Sequence, residues 1–426
     1  MKVSIVVGGR WHAIELAREL HNAGYLHKLI TNYPKFKTRS WGVPDEKVVS
    51  LPLTLVLNKA IQKIGGDKLT RRSIPLLHRL FAKAAVPHLK GSTLIHGWSS
   101  CSLPAIHWAK QNNVPFLLER SSSHIKCQSQ LLQAEYEKLG LNSNESAEIL
   151  PEIVEQELRE YELADKVAVP SYFVKHSFLE QGFPLQRLIY NPFGTNIKIF
   201  SPGIKQDNVF RVVYAGTLSV RKGIRYLIQA FMQANIPNSE LCLIGGATIE
   251  TPQLLAGSDE RVKCIGHIPE PKLADYYRNS SVFVMPSLED GFPYVISQAL
   301  ACGLPLISTT NTGGTDVLQM NGASPHRLNS RVDEYPAGYI IPPCDSEIIA
   351  SLLTELASNP DLLKQKQQAA LAFPTQTLSW EAYSQRARAH YQNMGLGSRE
   401  WGVGRRGEGG EGGDKGERGE VLTSNS

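Results

Sequence analysis

Short apolar runs alternate with amphipathic stretches almost from one end of the chain to the other. In the first half, runs at 3–7, 93–96, 116–119 and 166–169 read as short buried strands. Between them, helical spacing appears over 13–23, 103–112 and 152–163. The last of these puts Val154, Leu158 and Tyr161 on one face, with Glu and Arg opposite. This alternation predicts a parallel sheet with helices on both faces. The segment NPFGTNIKIFSPGIKQDN (191–208) then breaks the rhythm with Asn-Pro, Gly and Pro-Gly, which is linker chemistry. A second series follows, with strands at 211–215, 241–244, 262–266, 282–285, 306–308 and 339–341, and helices at 224–234, 272–279, 294–301 and 347–358. The predicted fold class is α/β: two doubly wound domains joined by a hinge. The expected divisions are 1–190, a hinge at 191–209, a second domain at 210–375, a terminal helix at 376–396 and a tail at 397–426. In the terminal helix Trp380, Tyr383, Ala387 and Tyr391 form one stripe, which must dock on one of the two domains.

Composition sharpens this picture. The chain has 426 residues, 42% hydrophobic and 20% charged, as expected of a globular protein too long for one core. The ten glycines and mixed charges of 397–426 cannot bury a core, so that tail is expected to be disordered. No run approaches the roughly 20 apolar residues of a membrane-spanning helix. The opening MKVSIVVGGRWH reads as a first buried strand and not as a signal peptide. Six cysteines are scattered without a CxxC pair, which excludes a zinc ribbon, argues against a disulfide framework and suits a reducing, cytoplasmic setting. A net charge of +5 is too mild to imply a nucleic-acid partner.

Three glycine-bearing turns fall at strand ends, where open parallel sheets bind ligands. The first, Gly8-Gly9, would let backbone amides and a helix N-terminus approach an anion, and it equally suits a plain tight turn. The second contains Arg221 and Lys222 just before a helix. Two cations there oppose the helix dipole unless an anion such as a phosphate joins them; a solvated loop is the alternative. The third runs from 285 to 317. It carries Glu289 and Asp290 ahead of Gly291, Phe292 and Pro293, and its next strand ends in Asn311-Thr312-Gly313-Gly314-Thr315-Asp316. Polar groups from these two adjacent ends should converge on one crevice.

At this block the sequence resembles retaining glycosyltransferases of family four, the glycosyl transferases group 1, across nearly the whole chain before the tail. DGFPYVISQALACGLPLI is similar to the family's E-G-F-x5-E-A-x-A-x-G-x-P-V signature, and GTLSVRKG resembles its phosphate loop G-R-L-x3-K-G. ELADKVAVPSYFVKHSFLEQG, the NPFGTN hinge and LSWEAYSQRARAHYQ match in order and spacing. The resemblance implies the GT-B fold, two Rossmann-like domains facing a cleft, with the terminal helix on the N-terminal domain. It also implies roles for individual residues. Asp290 stands at the acidic position that binds donor sugar hydroxyls and Gln298 at the one that binds ribose, so the pair reads D-x7-Q. Glu289 is a neighbour able to replace Asp290. Lys222 matches the phosphate lysine, and Arg221 substitutes for a family arginine that is Thr217 here. Gly313, Gly314 and Asp316 resemble the sugar-side G-G-x-x-E turn, and His124 a histidine near the sugar's reactive end. Asp290 and His124 are the catalytic candidates. The others, with Gly8, Gly9, Gly291 and Phe292, are donor-binding candidates.

The implied activity is transfer of a sugar from a nucleotide-sugar donor, with retention, to a glycan or lipid-linked acceptor. No D-x-D occurs, and with Arg221 and Lys222 facing the leaving diphosphate no metal or other cofactor is expected. Eight Lys or Arg stand against one acid, Asp67, between Lys59 and Lys90, interleaved with Ile74, Leu76, Leu77, Leu80 and Phe81. Such a stretch suits either an anionic membrane surface or a solvated helix face. Two rival readings remain: a catalytically inactive GT-B protein that binds a sugar or a partner, and a nicotinamide-dependent oxidoreductase. The second is disfavoured because the opening strand is not followed by GxGxxG.

Overall fold

Val3–Val7 (β1) is buried throughout and apolar except for Ser4, as a strand covered on both faces must be. It is an interior strand of a seven-stranded sheet. Around it lie Leu26–Thr31 (β2), Val48–Ser50 (β3), Leu94–Trp98 (β4), Phe116–Glu119 (β5), Lys166–Val169 (β6) and Leu188–Tyr190 (β7). The order is β3-β2-β1-β4-β5-β6-β7 and every pairing is parallel. A second sheet holds Phe210–Ala215 (β8), Ser239–Ile244 (β9), Val262–Gly266 (β10), Val282–Met285 (β11), Leu306–Thr309 (β12), His326–Asn329 (β13), Val332–Tyr335 (β14) and Gly338–Ile341 (β15). Its order is β10-β9-β8-β11-β12-β15-β14-β13, with β14 antiparallel to both its neighbours and the other pairings parallel. This computed structural model describes residues 1–141, 150–320 and 322–400.

Several elements escaped the hydrophobic pattern for local reasons. In β2, His27 and Lys28 interrupt the apolar run because they reach the backbone carbonyls of Lys90 and His88. Strands β3 and β7 have only three residues each, and β13 is exposed along its length, so none has an apolar run to read. The basic stretch, apart from Lys90, lies in a long helix, Leu53–Ala85, broken at Gly66, where φ is 60° and ψ is −162°. Leu77 and Phe81 turn inward while Leu53, Val56, Ile64, Leu69, Leu76 and Leu80 are exposed. The side chains of Asp67 and Lys68 lie outside the described set. Among the described residues no helix is long and apolar enough to cross a membrane.

Helix Pro151–Leu163 buries Tyr161 and packs Val154 and Leu158 against the core as its pattern predicts, and Glu155 and Arg159 stay exposed, but two of its glutamates turn inward as well. Glu157 and Glu160 are fully buried, whereas Val154 and Leu158 are only half-buried. Burial is tolerated because both carboxylates are bonded. Glu160 accepts the N–H groups of Ser100, Ser102 and Leu103 at 2.7–3.0 Å, and Glu157 pairs with Arg120 at 2.7 Å. Burial first, then the Glu157 charge, pushes the Glu160 carboxyl up to about 8.

The terminal helix Trp380–Glu400 returns to the first domain and runs past the predicted end at 396. Tyr383, Ala387 and Tyr391 are buried, as their stripe predicts. Arg386 fixes the helix by donating to Asn191 Oδ1 at 2.9 Å and to the Pro192 carbonyl at 2.7 Å. Tyr391 Oη meets His96 Nδ1 at 2.7 Å, and His96 Nε2 lies 3.0 Å from Glu119. His12 approaches the other Glu119 oxygen at 3.4 Å. Burial alone would push the Glu119 carboxyl up, but the His12 and His96 bonds more than offset it and hold it at about 2. The predicted tail from 401 onward lies outside the described residues.

Candidate functional site at the domain seam

The C-terminal ends of β8, β11 and β12 place three loops side by side. Arg221 and Lys222 lie in a short turn ahead of helix Ile224–Ala234. Gly223 joins them in the left-handed region at φ 67°, where a Cβ would sit 2.0 Å from the Pro286 carbonyl oxygen. The loop can therefore press onto the β11 turn, and the Leu288 N–H donates to the Arg221 carbonyl at 3.0 Å. Asn311 links the third loop by donating to the Leu288 carbonyl at 2.8 Å and accepting from the Asp290 N–H at 3.0 Å.

This arrangement corrects the electrostatic argument made for Arg221 and Lys222. The anions that join these cations come from the protein itself: Lys222 pairs with Asp290, and Arg221 Nη1 reaches Glu289 Oε2 at 3.0 Å. Both cations are thus compensated before any phosphate arrives. Lys222 is buried, and desolvation together with the nearby Arg221 charge lowers its pKa despite Asp290.

Glu289 is 0% exposed. Its Oε1 accepts the Ser123 N–H at 2.7 Å, and its Oε2 accepts Gln128 Nε2 at 3.1 Å as well as Arg221. Ser123 and Gln128 belong to the first domain, so this carboxylate spans the seam. Burial opposes its charge, but Arg221, the Ser123 amide and Arg120 hold the Glu289 carboxyl below its ordinary value. Gly291 permits the same approach, since a Cβ there would stand 1.9 Å from the Ser121 carbonyl oxygen. Phe292 packs its ring edge against Phe193 at 5.8 Å and lies over Gly313, while Gly314 sits against Ser308. Gln298, on helix Tyr294–Ala301, is buried, and its Oε1 has no hydrogen-bond partner among the described residues.

Two predicted residues are placed elsewhere. Asp316 faces a separate crevice of about 500 Å³, shared with Tyr172, His176 and Asn311. Its Oδ1 accepts the Tyr172 N–H at 2.8 Å and the Tyr190 hydroxyl at 2.9 Å, so it caps a first-domain helix. Burial pushes the Asp316 carboxyl up to about 7 against those two bonds. His124 begins helix Ile125–Lys138, where its Nδ1 accepts the Lys126 N–H at 3.3 Å. Its ring is packed by Tyr161 and Phe178, with centroids at 5.1 and 4.8 Å. Burial, followed by the Arg120 and Lys126 charges, holds the His124 imidazole down to about 4. The structure does not bring His124 to the Lys222–Asp290 pair.

Across the seam, Gly8 and Gly9 line a cavity of about 580 Å³ that extends to Arg221 of the second domain. Trp98, Ile74, Leu77 and Phe81 form apolar walls, and Arg120, Gln128 and Glu157 supply polar groups. Sequence reasoning missed these three. Arg120 left a signal, as a charge directly after the buried run of β5, whereas Gln128 and Glu157 read as ordinary helix-surface residues.

Residues 209–359 match the family described as glycosyl transferases group 1. The D-inositol 3-phosphate glycosyltransferase of Kribbella flavida is 25% identical over 234 residues, which is 49% of this chain and 51% of that protein. The capsular polysaccharide biosynthesis glycosyltransferase CapM of Staphylococcus aureus is 30% identical over 37% of this chain and 38% of its own. The chain thus spans about half the length, or less, of these relatives. Among solved structures, sucrose-phosphate synthase from Thermosynechococcus elongatus superposes with TM-score 0.67 at 20% identity, over 93% of this chain and 99% of that one. Anabaena Alr3699/HepE in complex with UDP-glucose gives 0.63 at 14%, over 92% and 100%. At such identities these structures establish the fold, which is GT-B.

Proposed function

We propose that this chain, a GT-B protein whose residues 209–359 belong to glycosyl transferases group 1, moves a sugar from a nucleotide-sugar donor to an acceptor, with retention and without a metal ion. The observation that carries the reading is the meeting, at two adjacent strand ends, of Lys222, Arg221 and Asp290 beside a cavity of the facing domain. The diphosphate takes Lys222 in place of Asp290 and is shared with Arg221. Asp290, released, turns to the donor sugar hydroxyls. Gln298 Oε1, without a partner among the described residues, accepts a ribose hydroxyl, a bond that an amide makes without charge. Cations fixed at the departing diphosphate stabilise the charge that develops as the glycosidic bond breaks. The naming of UDP-glucose with the HepE structure supports a donor of this class.

The acceptor, a glycan or a lipid-linked saccharide, occupies the first-domain cavity. Helix Leu53–Ala85 walls that cavity with Leu77 and Phe81 and turns Leu53, Val56, Ile64 and Leu76 outward among Lys59, Lys63, Arg72 and Arg79. The same helix therefore suits peripheral contact with an anionic bilayer at the cytoplasmic face, a setting that the six free cysteines also fit.

Product analysis tests the reading. UDP-, GDP- and ADP-sugars are incubated with the protein and anionic vesicles carrying extracted lipid-linked saccharides, with and without EDTA, and the new anomeric signal is read by NMR. Transfer that survives EDTA and keeps the donor configuration supports it. Absence of transfer and hydrolysis with every donor selects the catalytically inactive binding protein, a reading favoured by the uncharged Gln298 and the prior pairing of Lys222.

A further inference from the structure

Glu289 lies beside the donor loops, yet no face of it is open to a donor. It is 0% exposed, and both its oxygens are engaged. The bonds continue beyond it. Gln128 Nε2 donates to Glu289 while its Oε1 accepts Arg120 Nη2 at 2.6 Å, so the two charged neighbours fix which way the amide points. Arg120 then pairs with Glu157 at 2.7 Å and donates through Nε to the Ser123 carbonyl at 2.9 Å. The result is a chain of two ion pairs bridged by a neutral amide, Glu157–Arg120–Gln128–Glu289–Arg221. It starts in the wall of the first-domain cavity and ends on the second domain's phosphate loop. Glu157, Arg120, Gln128 and Arg221 all line that cavity, and Glu289 joins the two halves.

We infer that Glu289 is a positioning residue for domain closure and not a donor ligand, a reading that rests on the proposed function only for the identity of the donor. With the domains together, the Glu289 charge is divided among Ser123, Gln128 and Arg221. When they part, Ser123 and Gln128 leave with the first domain and Arg221 stays with that carboxylate. The Glu289–Arg221 pair tightens, and the guanidinium is drawn away from an incoming diphosphate. Closure therefore sets the grip of Arg221 on the leaving group, and a filled acceptor cavity, by holding Arg120 and Gln128 in place, favours the closed arrangement.

Glu289→Gln and Gln128→Leu test this, singly and together, in the full chain, with circular dichroism confirming folding. Interdomain distance is read by fluorescence energy transfer between labels on the two domains, and kinetics by donor turnover. Both single variants are expected to open the domains and to lower kcat/KM for the donor by about tenfold, equivalent to roughly 1.4 kcal/mol. The double variant is expected to be no worse than the weaker single one, because both break the same chain. Glu289→Asp, which keeps the charge, should recover part of the loss. If Glu289→Gln instead raises donor KM while Gln128→Leu behaves as wild type, Glu289 is a donor ligand and the inference is overturned. If wild type turns over no nucleotide sugar, the functional reading fails, and the distance measurement still decides closure: equal distances in all variants overturn it.

Discussion

Asp290→Asn isolates the feature that most distinguishes this site, a lysine already paired before any ligand arrives. The side chains of Lys222 and Asp290 are only 10% and 13% exposed, so the substitution strands an ammonium in a nearly water-free place beside the Arg221 charge. Removing one partner of a buried pair typically costs about 3–5 kcal/mol. The lower end, about 3 kcal/mol, applies here because both groups keep some solvent. For a domain of this size that lowers the melting temperature by about 6–12 °C. A nucleoside diphosphate supplies the missing anion, and at a hundred times its dissociation constant it returns about 2.7 kcal/mol. Wild type must first separate Lys222 from Asp290, so its gain is smaller. Differential scanning calorimetry across a series of UDP, GDP and ADP concentrations measures both quantities. The expected result is a lower melt without nucleotide and a larger nucleotide-induced rise than in wild type. A variant as stable as wild type, or one that nucleotides stabilise less, would refute the exchange of phosphate for carboxylate.

Other perturbations follow from the same geometry. Glu119→Gln should destabilise the protein near neutral pH by roughly 3 kcal/mol, since the folded carboxyl is held at about 2 against an ordinary value near 4.3. That stabilisation is complete above pH 4.3 and lost as pH falls toward 2, so acid titrations of the two proteins should converge there. Asp316 has the opposite sign: its folded carboxyl is pushed up to about 7, so ionisation costs stability as pH rises from about 4 to 7. Asp316→Asn should flatten that decline, which is at most about 4 kcal/mol, and melts at pH 5 and pH 8 will show whether it does. His124→Asn keeps a helix-capping side chain but empties the space between Tyr161 and Phe178. It should cost about 1–3 kcal/mol of stability and leave the pH profile of turnover between 5.5 and 7.5 unchanged, whereas a shifted profile would restore a catalytic role.

How much was legible depended on whether a residue's partner was close in sequence. The interior strands β1, β5, β6 and β11 could be read because parallel strands buried on both faces are near-continuous apolar runs. β2 and β13 could not, since one carries His27 and Lys28 for bonds to a distant segment and the other has no buried face. The same division runs through the site. Lys222 and Asp290 were found as motif residues, but that they neutralise each other, 68 positions apart, is a fact of the fold. Asp316 and His124 carried the right residue types, yet Tyr172, Tyr190, Tyr161 and Phe178 claim them for the seam and the core. Glu157 looked like a solvated helix carboxylate until Arg120 was seen against it.

The central claim is that Lys222 and its neighbours hold a nucleoside diphosphate without a metal, and isothermal titration of UDP, GDP and ADP in EDTA measures this directly. Saturable binding of one nucleotide family, lost in Lys222→Ala and retained in His124→Asn, is the predicted result. Binding to no nucleotide, or binding that Lys222→Ala leaves intact, would contradict it.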